Sequence, residues 1–184
     1  PSAPSMPCSY CGVFRRQGIN HLAKKVNADV MALGHNLDDM AQTVLMNMSN
    51  GDLERTLRLA PHTNTPIDGL PPRIVPLRWI PEQEVHLYAV HKNLPIHHEE
   101  CPHARGALRW RHREMVAMME ADVPGTRHGL VRMADNVKNL RNQIIELGGH
   151  DSRPSPPQAC PVCGSMTSND PCTACELRER VNHE

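Results

Sequence analysis

The sequence has few aromatic residues, no net charge and no long apolar run. Phenylalanine, tryptophan and tyrosine make up 3% of the chain, so aliphatic side chains and the 10 methionines must form the core. The 20 basic and 20 acidic residues cancel, which argues against binding of nucleic acid by overall charge but not against a local basic face. No apolar run approaches the ~20 residues that span a bilayer. We therefore expect no membrane segment and a cytoplasmic location.

The seven cysteines form three CxxC pairs and leave one single residue. An odd number built on this spacing fits metal ligation in a reducing cytosol better than disulfide bonds. Cys8 and Cys11 form the first pair, which is suited to one metal ion or cluster, although redox and zinc sites use the same spacing. Cys101 alone would more often be an inert buried thiol, but beside an unpaired CxxC it is a candidate third ligand.

The last two CxxC pairs are the most specific metal signal in the chain. They consist of Cys160, Cys163, Cys172 and Cys175. Four thiolates in this pattern fit a closed, structural zinc site, and the segment is too small to fold without the metal. We therefore predict a main domain over 1–150, a Pro-rich linker over 151–158 and a zinc finger over 159–184.

A strand, a turn and a helix are predicted between Ala28 and Ser49. Ala28–Leu33 is an apolar run suited to a buried strand, and a helical apolar pattern starts at Met40. Asp38 and Asp39 lie where this helix should begin. In a parallel α/β sheet, ligands bind in the turn after a strand. The alternative is that the two acids only cap the helix and match its dipole.

Periodicity and turn residues predict the remaining elements. The helices are Val13–Val26, Leu53–Leu59, Pro81–Asn93, Arg105–Glu120 and Leu130–Leu147. Ile74–Leu77 is a strand, and Leu94–His98 is a strand or an extended segment. If the sheet is parallel, the first CxxC pair, the two acids and Cys101 should converge on one edge.

Basic residues cluster in two places. Arg15 and Arg16 directly follow the first CxxC and are either solvated helix charges or phosphate ligands. The second cluster contains Arg105, Arg109, Arg111 and Arg113. A charge run is usually a solvated face, but this one is locally of one sign and includes Trp110, which makes it the best candidate for RNA contact.

Five segments together resemble a known family. They are CSYCGVFRR (Cys8–Arg16), ALGHNLDDMAQTVLMN (Ala32–Asn47), IPEQEV (Ile80–Val85), EECP (Glu99–Pro102) and the terminal CPVCG…CTAC. This combination resembles the TtuA family of tRNA 2-thiouridine synthetases, which has archaeal and eukaryotic cytoplasmic members. The resemblance implies an α/β fold with a Rossmann-like PP-loop ATP pyrophosphatase domain and a small C-terminal zinc finger.

The resemblance also implies a reaction and its residues. Such enzymes use ATP and Mg²⁺ to adenylate the C2 oxygen of a tRNA uridine and then replace that oxygen with sulfur. By resemblance, Cys8, Cys11 and Cys101 would hold a 4Fe-4S cluster whose fourth iron stays open for sulfide, which puts Cys8 and Cys101 in the catalytic centre.

Further residues and partners follow from the same resemblance. Asp39 matches the catalytic acid, and Gly34, His35 and Asp38 would shape the ATP site. The implied partners are tRNA, a ubiquitin-like sulfur carrier or a sulfide donor, and a second copy of the chain in a homodimer.

The family's glycine-rich pyrophosphate loop, of the SGGKDS kind, precedes the first CxxC, and these 184 residues contain none. Backbone N–H groups of such a loop hold the phosphates. We therefore expect the 184 residues to be the C-terminal part of the enzyme, without its N-terminal strands. Alone, they should bind ATP poorly and should not turn over.

Two alternatives stay open. One is a non-catalytic, zinc-dependent RNA- or protein-binding module, in which the first CxxC and Cys101 take a fourth ligand from His97, His98 or His103 to close a second zinc site. The metal distinguishes this module from the enzyme: the enzyme would have an iron with an open coordination position, and the module a zinc with all four positions filled. The other is a truncated product that folds poorly, against which a cooperative thermal transition would count.

Overall fold

The computed structural model describes residues 7–59, 61, 70–97, 99, 101–103, 108–149 and 157–183. This part of the chain contains seven helices and four strands of two residues each. The helices are α1 (Pro7–Lys25), α2 (Leu37–Ser49), α3 (Leu53–Leu57), α4 (Glu82–His91), α5 (Leu108–Asp122), α6 (Thr126–Glu146) and α7 (Thr173–His183). The strands are β1 (Met31–Ala32), β2 (Arg73–Ile74), β3 (Gln158–Ala159) and β4 (Met166–Thr167).

The chain divides into two compact units. The first, which we call the cysteine unit, comprises 1–31, 62–74 and 152–184. The second, which we call the helical unit, comprises 32–61 and 75–151.

In the cysteine unit, α1 packs against α7. Strands β3 and β4 are antiparallel, with Gln158 opposite Thr167. Three of the four C-terminal cysteines are buried with Ala174, and Val13 and Phe14 of α1 pack against them. Strand β1 pairs with β2, and the Met31 N–H donates to the carbonyl of Pro72 over 2.8 Å.

In the helical unit, α2 packs against both α5 and α6. The core consists of Leu37, Met40 and Ala41 from α2, with Val116 from α5 and Val131 from α6. Because the apolar residues of α2 recur at helical spacing, one side of the helix is buried, while Asp39 in its first turn stays partly exposed. The helix thereby fixes the positions of Asp38 and Asp39.

Three predicted boundaries differ from the structure. Helix α1 begins at Pro7 rather than Val13, because proline suits the first position of a helix. The strand predicted over Ala28–Leu33 is confined to β1, and β2 covers Arg73–Ile74. Prolines at 71, 72 and 76 flank β2 and offer no N–H groups, which keeps this pairing short.

One predicted segment, Leu94–His98, is expected to be a strand or an extended segment. No strand forms over 94–97, and His98 lies outside the described residues. Helix α5 begins at Leu108, whereas Arg105 lies outside the described residues. Helix α6 starts at Thr126, four residues before the predicted Leu130, after Gly125 with a φ of +93°. That left-handed turn suits glycine and lets α6 follow α5 directly.

Candidate functional site

Asp39 lies in the first turn of α2 and is held from two sides. Its Oδ2 accepts the N–H of Asn36 over 3.2 Å, while its own N–H donates to the Asn36 side chain over 2.9 Å. This reciprocal pair is a capping box, which satisfies two N–H groups at the start of the helix. Its Oδ1 lies 3.1 Å from Nη1 of Arg109. The side chain remains 31% exposed, so a ligand can reach it.

Asp38 is more deeply held than its neighbour. Its side chain is only 13% exposed, and Oδ2 accepts the backbone N–H of Glu82 over 2.7 Å. Its Oδ1 lies 3.2 Å from Nε of Arg127 in an ion pair. The carboxylate therefore joins the start of α2 to the start of α4 and to α6. This is a structural task, and the proposed contact of Asp38 with ATP stays a prediction.

Gly34 and His35 lie between β1 and α2. Gly34 is exposed, and a Cβ placed there would meet no described atom within 4 Å. His35 is half-buried. Among the described residues, no atom therefore crowds the turn at Gly34.

The arginines of α5 are largely engaged with acids. Nη2 of Arg109 also donates to Oγ1 of Thr43 over 2.8 Å, and Arg113 pairs with Glu82 over 3.1 Å. The guanidinium of Arg113 lies over the ring of Trp110, at 5.8 Å from its centroid. Of the predicted RNA-binding residues that the structure describes, Arg111 has no such acidic contact. RNA binding by α5 stays a prediction.

The C-terminal cysteines form a compact cluster. The Sγ atoms of Cys160, Cys163, Cys172 and Cys175 all lie within 4.8 Å of one another. One tetrahedral Zn²⁺ at ordinary Zn–S distances separates its sulfurs by about 3.8 Å, so the cluster is close to the size that one ion needs.

Protons are shared unequally among these thiols. The N–H of Cys172 points at Sγ of Cys160 over 3.4 Å and is the main cause that lowers the pKa of Cys160 to about 6. Burial and the neighbouring sulfurs raise the pKa of Cys175 to about 12. A divalent cation would stabilise all four as thiolates.

The other three cysteines are divided between the two units. Cys8 and Cys11 are exposed near the start of α1, three residues apart and thus on one face of the helix. Both belong to the cysteine unit, while Cys101 is exposed and belongs to the helical unit. Their joint ligation of one cluster stays a prediction.

Sequence reasoning missed Arg127, the ionic partner of Asp38. It also missed that Arg109 contacts Asp39. Neither contact leaves a local signal, because the partners lie on helices that are distant in sequence. The acidic residues themselves were found through the strand–turn–helix pattern.

Comparison with known proteins supplies a class for this arrangement. No family model matches the chain. The chain is 38% identical over 183 residues to the tRNA 2-thiolation protein NcsA of Haloferax volcanii. This match covers 95% of the chain and 55% of that protein. It is 37% identical over 175 residues to cytoplasmic tRNA 2-thiolation protein 1 of Bos taurus, with 95% and 48% covered.

A solved structure gives the same result. The U34-tRNA thiolase NcsA from Methanococcus maripaludis, solved with its 4Fe-4S cluster, matches with a TM-score of 0.75 and 30% identity. The match covers 95% of this chain and 53% of that one. The chain therefore spans about half the length of the relatives it matches.

The fold is the α/β fold of a PP-loop enzyme with a four-cysteine cluster near its C-terminus, as the sequence predicted. Over the half of their length that it spans, the chain is homologous to tRNA 2-thiolation proteins, which confirms the resemblance carried by the five motifs.

Proposed function

We propose that this chain works in tRNA 2-thiolation, as part of an ATP-dependent sulfurtransferase. The observation that supports this most is the match over 95% of the chain to proteins named for that reaction. In the proposed reaction, the C2 oxygen of a tRNA uridine attacks the α-phosphorus of ATP and pyrophosphate leaves. Sulfide then attacks C2, and AMP departs with the original oxygen.

Asp39 is the proposed catalytic acid. It lies at the positive end of α2, and among the described residues its partly exposed carboxylate contacts a surface arginine and its own helix cap. Mg²⁺ is usually held by one or two carboxylates together with substrate phosphates. Asp39 can supply such a carboxylate, and bound ATP the phosphates. Gly34 and His35 lie in the turn directly before this end of the helix.

Cys8, Cys11 and Cys101 are the proposed ligands of a 4Fe-4S cluster. The one-face placement of Cys8 and Cys11 suits two thiolates on a single cluster. A cluster bound by three protein thiolates has an iron with an open position, which can hold sulfide. The four C-terminal cysteines would hold a structural Zn²⁺ that leaves no open position.

The proposed partners are tRNA, a ubiquitin-like sulfur carrier or a sulfide donor, and a second copy of the chain. A cytoplasmic location is proposed from the names of the eukaryotic relatives. Among the described residues, no helix is long and apolar enough to cross a membrane.

Metal analysis tests the two proposed sites. The chain is purified anaerobically, and iron, acid-labile sulfide and zinc are measured per chain. We expect about four irons and four sulfides with about one zinc, and the loss of iron and sulfide but not zinc in Cys101→Ala. Two zincs and no iron would reject the sulfur-transfer proposal and favour the binding module.

A chimaera tests the reaction itself. The segment of the Methanococcus maripaludis thiolase that matches this chain is replaced by the chain, and 2-thiouridine is measured with tRNA, ATP, Mg²⁺ and sulfide. We expect product, its loss in Asp39→Asn, and its retention in Asp29→Asn, the same change at an exposed acid outside α2. A cluster-loaded chimaera without product would contradict the proposal. The same assay on the 184 residues alone should give none.

A further inference from the structure

A cleft of about 530 Å³ opens inside the cysteine unit. One wall is a face of α1 that carries Arg16, Asn20, His21, Lys24 and Lys25. The other wall is formed by residues 163–167 and 172–174 of the cysteine-rich segment. This volume lies in the range of functional binding sites.

The α1 wall of the cleft is positively charged. Helix α1 contains no acidic residue, and no carboxylate occurs among the described residues that line the cleft. Arg73 adds a further cation behind the wall, where it donates to Oδ1 of Asn20 over 2.9 Å. Burial and the nearby charge of Arg16 lower the pKa of Arg73. Cations that repel one another beside open space favour the binding of an anion.

The two walls are fixed to each other. Gln17 points its amide nitrogen at Sγ of Cys163 and Oγ of Ser165, each over 3.5 Å. Arg178 of α7 donates to the amide oxygen of Gln17 over 2.9 Å. The cleft also presents Thr167 and Thr173, whose hydroxyl groups are phosphate ligands in many proteins. The arrangement is a preformed groove with cations on one side and hydroxyls on the other.

We propose that this cleft binds the phosphate backbone of tRNA. The identity of the RNA as tRNA rests on the proposed function, whereas the site rests on the cleft. The cations lie along one side of the helix, with Arg16 and Lys24 two turns and about 12 Å apart along its axis. A line of charge suits a strand of phosphates better than a single nucleotide. No Phe, Tyr or Trp lines the described part of the cleft, so it recognises backbone rather than stacked bases.

Salt-dependent binding tests the cleft. Binding of fluorescently labelled tRNA to the zinc-loaded 184-residue chain is measured over a series of KCl concentrations. The variant is Arg16→Gln/Lys24→Gln/Lys25→Gln. The matched control is Arg58→Gln/Lys92→Gln/Arg132→Gln, which removes the same charge from exposed positions outside the cleft. Zinc content and circular dichroism verify that both variants are folded.

The cleft variant should raise the Kd for tRNA by about tenfold or more and lower the slope of log Kd against log salt by about two to three. The control should change the Kd by less than about threefold. Equal losses in both variants, or no loss in the cleft variant, would overturn the proposal. So would displacement of tRNA by ATP from the unmodified chain but not from the cleft variant, because the cleft would then be a nucleotide site.

The chimaera separates this proposal from the proposed function. If it forms 2-thiouridine and the cleft variant leaves its KM for tRNA unchanged, the cleft proposal alone fails. If it forms no product while tRNA binding still depends on the cleft, the proposed function alone fails.

Discussion

The guanidinium of Arg109 covers the carboxylate of Asp39, at 3.1 Å from Nη1 to Oδ1. Both side chains are substantially exposed, at 46% and 31%. Such surface ion pairs contribute only about 0.2–1 kcal/mol, because water screens them and two long side chains lose freedom. Arg109 can therefore leave Asp39 when a phosphate group or metal ion approaches, without loss of the fold.

The strength of this contact can be measured by a double-mutant cycle. Arg109→Gln should lower the free energy of unfolding by less than about 1 kcal/mol, and its coupling to Asp39→Asn should be about 0.2–1 kcal/mol. Urea unfolding followed by circular dichroism gives both values. A coupling above about 2 kcal/mol would show that Arg109 is a fixed structural partner rather than a displaceable one.

The adjacent acid should behave in the opposite way. Asp38→Ala removes the acceptor of the Glu82 N–H and leaves Arg127 unpaired in a position only 23% exposed. We expect a loss of about 2–4 kcal/mol in the free energy of unfolding. Asp39→Ala should cost about 1 kcal/mol, the usual value of a helix cap.

Asp29→Ala, at an exposed acid outside the helix, is the control and should change stability by less than about 0.5 kcal/mol. The assignment of a structural role to Asp38 is rejected if its alanine variant is as stable as that of Asp39. Thermal and urea unfolding of the three variants decide this.

The two acids show how far local pattern predicts a site. Helix α2 follows from apolar spacing alone, and the capping alternative holds for Asp39, which forms the box with Asn36. It does not describe Asp38, whose partners come from α4 and α6. Contacts between helices that are distant in sequence depend on packing, and single-sequence periodicity carries no information about which charged residues will meet.

The C-terminal cysteines are the easiest part of the candidate site to predict from sequence, and the arginines of α5 are the hardest. The C-terminal cluster is set by ligand spacing within a short segment, so sequence could predict that its four sulfurs come together. The arginines of α5 were interpreted as a surface for RNA. Arg109 and Arg113 lie one turn apart on the same face, and that face meets Asp39 and Glu82. Charge alone does not distinguish a ligand surface from a set of intramolecular ion pairs.

Glu120 gives a prediction about pH. Its two carboxylate oxygens accept the N–H groups of Gly125 and Arg127 over 2.9 and 2.8 Å, which satisfies the start of α6. Partial desolvation raises the pKa of Glu120. These two hydrogen bonds and the nearby Arg127 charge together lower it by more, so the net shift of the pKa is downward. The stabilising contribution is therefore complete above the unfolded pKa and disappears as the pH falls through the folded pKa.

Glu120→Gln should cost about 1 kcal/mol at pH 7, because a carboxamide has one acceptor oxygen for two donors. The difference from the unmodified chain should vanish in acid, below the folded pKa. Glu114→Gln is the control, since its carboxamide oxygen can still accept the Trp110 Nε1–H. A Glu120→Gln deficit that persists unchanged at low pH would contradict the role of the carboxylate.

Removal of the metal should unfold only one of the two units. The buried centre of the cysteine unit consists chiefly of the cysteines proposed to bind the metal. Ala174 lies among them, and the side chains of Val13 and Phe14 pack against them. Without the ion, this small cluster has too little apolar surface to offset the cost of ordering α7. The helical unit has a separate core around Leu37 and Val131 and should stay folded.

Hydrogen exchange with and without a chelator measures this directly. Amides of α7 and of the β3–β4 pair should lose protection in EDTA, whereas those of α2 and α6 should keep it. Cys163→Ala should reproduce the effect with metal present, and Cys101→Ala should retain both zinc and protection in α7. Because each cysteine thiol must lose its proton to bind the ion, the chelator should also act faster as the pH falls. Protection of α7 in the metal-free chain would mean that apolar packing on α1 suffices to fold this unit, and the cluster would then not be its main source of stability.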